Sequence, residues 1–155
     1  MTNEHVASNP AAEIETLERS RRRMLASVVV TSALWLVPQI VQGLWAGALP
    51  RGLAVALVLA GIGGALAWMA FMWRYHSFQQ RVMTDPELRS RLDDERVVAL
   101  RKDAILRGWG VLVAALAAGV AAAPFVDLPD VPVMLTLLLV GVNAPIVFFL
   151  ILDRD

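Results

Sequence analysis

The chain has 155 residues, 57% of them apolar, with zero formal net charge and a mean hydropathy of +0.59. That apolar share exceeds the roughly 45–50% of soluble domains, and the length fits one domain. With no cysteine and only His5 and His76, the composition excludes disulfides, thiolate sites, cysteine nucleophiles and histidine-rich metal centres, so neither a metal nor a cofactor is expected.

Residues 1–12 are small and polar and predict a disordered tail that contains His5. Residues 13–23 read as a short basic helix. Glu13, Glu15 and Glu18 precede Arg19, Arg21, Arg22 and Arg23, the order that suits a helix dipole. These four arginines are candidate contacts for anionic lipid headgroups. Beside a membrane anchor they make a poor nucleic-acid site, and no direct nucleic-acid contact is expected.

A first span is predicted from about Met24 to Leu49, where no charge occurs. It is too long for the apolar core of a signal peptide, so it is expected to be retained. Pro38 predicts a kink, because it removes an amide donor. Trp45 suits an interface belt. A second span follows from about Gly52 to Trp73 after a very short link around Pro50 and Arg51. Ala56, Ala60 and Gly64 recur four residues apart, beside Gly61 and Ala65, and predict a strip on which another helix packs.

Residues 74–107 form the connecting segment. They hold eight of the fourteen Lys and Arg and six of the fourteen Asp and Glu. Thr84, Pro86 and Glu87 have the spacing of a helix start. Arg89 with Asp93, Arg91 with Glu95, and Asp103 with Arg107 are spaced as i,i+4 pairs. Asp93 or Asp94 is placed to cap a helix that runs unbroken into a third span, about Gly108 to Val126. There Ala115 with Gly119, and Ala118 with Ala122, predict a second packing strip. A short turn at residues 127–130 leads to a fourth span, about Val131 to Leu152, which Asn143-Ala144-Pro145 is expected to interrupt. Residues 153–155 close the chain.

The tail before the first span holds four basic residues, the connecting segment eight and the last three residues one, against Arg51 alone in the outer turns. The positive-inside rule therefore places both termini and residues 74–107 in the cytoplasm. The predicted fold is all-α: an integral membrane four-helix bundle of two hairpins joined by a cytoplasmic helical stretch. The halves show no internal repeat.

No Asp, Glu, Lys, Arg or His falls inside a span, which argues against ion-coupled transport. Catalytic motifs such as HExxH and GxSxG are absent too, so no enzyme is expected. The intramembrane polar residues of most interest are Gln39, Gln42 and Asn143. At about 1.5 Å rise per residue, Asn143 lies roughly 13 Å from the inner edge of its span and Thr31 and Ser32 roughly 9–10 Å from theirs. A hydrogen bond between the first and fourth spans is therefore expected.

Asp94-Glu95-Arg96, with Leu100 and Lys102 just before a span, resembles a D-E-R-x3-[LI]-x-x-[KR] segment of small four-helix bacterial inner-membrane proteins of unknown function. Lys102 stands one residue short of the last position, which Asp103 occupies here. Some of those proteins are similar to membrane antagonists of transcription regulators. The resemblance implies a non-enzymatic protein of the bacterial inner membrane. Its cytoplasmic segment would bind a protein partner through Asp94, Glu95, Arg96, Arg101 and Lys102. The alternative is a small transporter or channel subunit that works as a homo-oligomer.

Overall fold

The computed structural model describes residues 10–45, 47–86, 95–126 and 129–153. Within them the chain forms four helices: α1 (Pro10–Leu44), α2 (Arg51–Thr84), α3 (Glu95–Ala122) and α4 (Asp130–Leu152). All four are long and apolar enough to cross a membrane. Of the tail expected at residues 1–12, residues 10–12 already belong to α1, and residues 1–9, the pairs Arg89–Asp93 and Arg91–Glu95, the caps Asp93 and Asp94, and residues 127–128 lie outside the described residues.

The helix ends differ from the predicted span ends, for local reasons. α1 begins at Pro10, a residue suited to a first helical turn because its missing amide has no helical partner to lose there. The basic helix and the first span are thus one continuous element. α1 stops at Leu44, short of the expected Leu49, because Gly47 adopts φ +84°, a conformation open mainly to glycine. The Ala48 amide then closes a turn on the Trp45 carbonyl.

α2 does not end at Trp73. Neither glycine nor proline occurs between 74 and 85, and the helix runs eleven residues further, to Thr84. Two i,i+4 contacts support this extension: Gln79 Nε2 donates to the Tyr75 hydroxyl at 2.8 Å, and Gln80 meets His76 at 2.9 Å. Termination comes from Pro86. The residue before a proline is pushed out of the helical region, and Asp85 sits at φ −104°, ψ 106°. Thr84 closes α2, its hydroxyl donating back to the Gln80 carbonyl at 2.6 Å, and helix resumes at Pro86, where the sequence predicts a start. Glu87, the expected capping partner of Thr84, lies outside the described residues.

α3 runs unbroken from Glu95 into the third span, as expected, and stops at Ala122 rather than Val126. Pro124 lies just beyond, and a turn closes with the Phe125 and Val126 amides on the Ala122 carbonyl. α4 is not interrupted at Asn143-Ala144-Pro145 but continues through them as helix. Proline is tolerated in an apolar helix when neighbouring helices pack against it, and α3 packs on the half-buried Pro145 at Gly108.

Three helix pairs pack closely: α1 with α2, α1 with α4, and α3 with α4. α1 and α4 are thus the inner members. α1 carries the main buried stripe, Arg21, Leu25, Val28, Ser32 and Leu36, at helical spacing. Each pair meets at a glycine. A Cβ on Gly64 would lie 2.5 Å from the Trp35 amide nitrogen of α1. One on Gly108 would lie 2.5 Å from Pro145 Cγ, and one on Gly43 2.5 Å from Pro132 Cγ. The predicted strips are partly corrected. Ala56 and Ala60 are exposed, and Gly119 faces open space, whereas Gly61 and Gly64 are buried against α1.

Candidate functional site

At one end of the helices, opposite the turns at 45–50 and 123–129, the charges collect. Arg21 is 5% exposed. Its guanidinium lies 3.7 Å from an Asp153 carboxylate oxygen and 5.3 Å from the centre of the Phe149 ring. Arg22 reaches the other Asp153 oxygen at 3.6 Å. α1 presents both arginines because it stays helical through residues 10–44, and Asp153 is held where the last turn of α4 closes, its amide bonded to the Phe149 carbonyl at 2.9 Å. An apolar cluster of Leu25, Val97, Ala104 and Phe149 sits beneath, with Tyr75 packed against it.

These groups border a cleft of about 150 Å³ into which all four helices place side chains. Its polar members are Arg21, Tyr75 and Arg101, and its apolar floor includes Ala104, Pro145 and Ile146. Its lining among the described residues holds a buried cation, Arg21, and neither a nucleophile beside a base nor a pair of carboxylates. Among the described residues no three His, Cys, Asp or Glu side chains converge as metal ligands.

The structure redistributes the predicted site residues. Of the lipid candidates, Arg21 is buried and faces Asp153, so it belongs to the helix packing and not to a lipid-facing surface. Arg22 shares that carboxylate, Arg19 pairs with Glu15 at 2.6 Å, and Arg23 is exposed. Of the partner-binding candidates, Asp94 lies outside the described residues. Glu95 and Lys102, two helical turns apart, share an exposed face of α3 opposite buried Val97 and Ala104. Arg96 is exposed on the flank, while Arg101 adjoins the buried face and borders the cleft. The four described ones therefore point to different sides of α3.

The expected bond between the first and fourth spans is present: Ser32 Oγ donates to Asn143 Oδ1 at 2.7 Å, and Asn143 Nδ2 donates to the Leu139 carbonyl at 2.8 Å. Thr31 bonds within its own helix, to the Ser27 carbonyl at 2.7 Å. Gln39 and Gln42 are not part of this contact. They border a separate cleft of about 210 Å³ between α1 and α2, where Gln39 Nε2 donates to the Trp35 carbonyl at 3.3 Å. Replacing Asn143 with Ala should lower stability in detergent by about 0.6–2 kcal/mol, the worth of an intramembrane hydrogen bond. Ser32→Ala combined with Asn143→Leu should recover most of that, since neither partner is then left unsatisfied. Thermal unfolding of the three proteins checks both outcomes.

Sequence reasoning missed the Arg21–Asp153 contact and the Gly108–Pro145 and Gly43–Pro132 contacts. Comparison with protein-family models, with curated proteins and with solved structures finds no match to this chain.

Proposed function

We propose that the chain is a non-enzymatic, multi-pass protein of the bacterial inner membrane, with two helical hairpins and both termini cytoplasmic, and that its charged end binds a cytoplasmic protein partner. The observation that carries this reading is the reach of α2 and α3 beyond their apolar segments. α2 continues through Arg74–Thr84 and α3 starts at Glu95, so both raise polar surface above the same end. Glu95 and Lys102 form its outward face, and complementary charge there selects a partner more than it tightens binding. The resemblance around Asp94-Glu95-Arg96 adds that the partner is a transcription regulator held at the membrane.

Photo-crosslinking in cells tests the partner. A reactive residue at 95 or 102 should capture one protein, and Lys102→Glu should abolish the capture. Equal capture from position 59, on the apolar surface of α2, would sink the idea. Orientation has its own test: reporter fusions after Pro50 and Asp130 should read external, and fusions after Gln80 and Asp155 internal. An external reading at Gln80 would overturn the topology.

The second reading, an oligomeric transporter or channel subunit, draws on the Gln39 and Gln42 cleft between α1 and α2. Solute flux in proteoliposomes that Gln39→Leu abolishes would favour it over partner binding.

A further inference from the structure

A recess of about 400 Å³ lies between α1 and α2 at the charged end. Ser20 and Met24 of α1 form one wall, and Trp73, Arg74, Ser77 and Arg81 of α2 the other. Arg74, Ser77 and Arg81 fall on one face of α2 because three, four and seven residues bring a helix back to the same side. No carboxylate among the described residues lines the recess. Among the described residues, Arg19, Arg21, Arg22 and Arg107 each have a carboxylate partner, and neither Arg74 nor Arg81 has one. The two guanidiniums give the α2 wall positive charge and donors, and the Ser20 and Ser77 hydroxyls add a further donor from each wall.

The recess sits where the charge-free run of α1 begins, at Met24, and that of α2 ends, at Trp73. From it an apolar track continues along α2: Trp73, Met69 and Leu66 recur at helical spacing and are 75%, 54% and 59% exposed. A cationic, hydroxyl-lined recess that opens onto an apolar track has the two-part chemistry of an anionic amphiphile. We infer that it binds an anionic phospholipid, with the phosphate between Arg74 and Arg81 and an acyl chain on the Trp73–Leu66 track. The inference rests on the membrane reading above. It moves headgroup recognition from the arginines of α1, most of which have carboxylate partners, to α2.

Native mass spectrometry of the detergent-purified protein, given equal phosphatidylglycerol and phosphatidylcholine, tests it. The unaltered protein should retain phosphatidylglycerol in preference. Arg74→Gln with Arg81→Gln should cut that preference about 25-fold, from about fivefold per arginine near an anionic surface, while Arg51→Gln at the opposite end leaves it unchanged. Equal retention of the two lipids by the unaltered protein overturns the site even where the double variant fails to fold. So does a folded double variant that keeps the preference. Alkaline carbonate extraction separates the two failures. A chain that stays in the membrane pellet without lipid preference loses only this site, whereas one released by carbonate loses the membrane reading as well.

Discussion

Gly64→Ala should destabilise the protein by about 1–3 kcal/mol, the cost of overpacking a close contact, and Gly64→Leu should prevent α1 and α2 from packing at all. A Cβ at this position would lie 2.5 Å from the Trp35 nitrogen, 2.6 Å from the Leu34 carbonyl carbon and 2.9 Å from its oxygen. All three are backbone atoms, so no rotamer change relieves the clash. Pro38 explains why the approach is so close. Lacking an amide hydrogen, it leaves the Leu34 carbonyl without its usual helical donor. The oxygen left without that donor is one of the atoms a Cβ on Gly64 would meet. Gly63 is the control, because nothing lies within 4 Å of a Cβ built there. Alanine favours a helix over glycine by about 1 kcal/mol, so Gly63→Ala should stabilise slightly while its neighbour destabilises. Gly119→Leu, also in open space, should be silent. Unfolding of this series in detergent decides the matter, and small equal effects at all three positions would show that α1 and α2 do not meet at Gly64.

The four helices were legible because charge-free runs longer than a bilayer crossing have few other solutions. Their packing was only half legible. α2 is rich in alanine and glycine on several faces, so spacing alone gave one broad strip, Ala56-Ala60-Gly64 with Gly61 and Ala65 beside it. The Gly61-Gly64-Ala65 part is the one that meets α1, because Pro38 and Trp35 lie opposite Gly61 and Gly64. A signal was nevertheless present. Consecutive helices joined by a short turn meet at positions equidistant from it. Trp35 and Gly64 are equidistant from the link at residues 49 and 50, and Gly108 and Pro145 from residues 126 and 127. Counting outward from each turn would have paired both glycines with their neighbours. The site was less legible still. The polar segment 74–107 was read as a separate helical stretch without its phase, yet most of its described part continues α2 and α3, and helical phase then decides which charges face water. Phase turns Arg101 toward the cleft and Lys102 away from it, although the two are adjacent in sequence.

Arg21 shows the same effect over a longer range. It lies on the stripe of Leu25, Val28 and Ser32, so α1 had to bury it, and burial called for a carboxylate, which the end of α4 brings. The Arg21 and Asp153 side chains are 6% and 16% exposed, so this pair is shielded from water. Asp153→Ala should therefore cost about 2–3 kcal/mol, below the 3–5 kcal/mol for breaking a fully buried pair. The contact distances of 3.6–3.7 Å exceed those of a charge-assisted hydrogen bond, and Arg22 is 35% exposed, so the pairing is weaker than the strongest of its kind. Arg21→Met should cost less, about 1 kcal/mol, because Asp153 keeps Arg22 and a thioether packs well against an aromatic ring such as Phe149. Arg21→Met with Asp153→Asn should be more stable than the sum of the single changes by about 1–3 kcal/mol, since no charge is then buried without its counterpart. A double-mutant cycle measured by unfolding in detergent gives the coupling directly. Strict additivity would mean that Arg21 and Asp153 do not act as a pair.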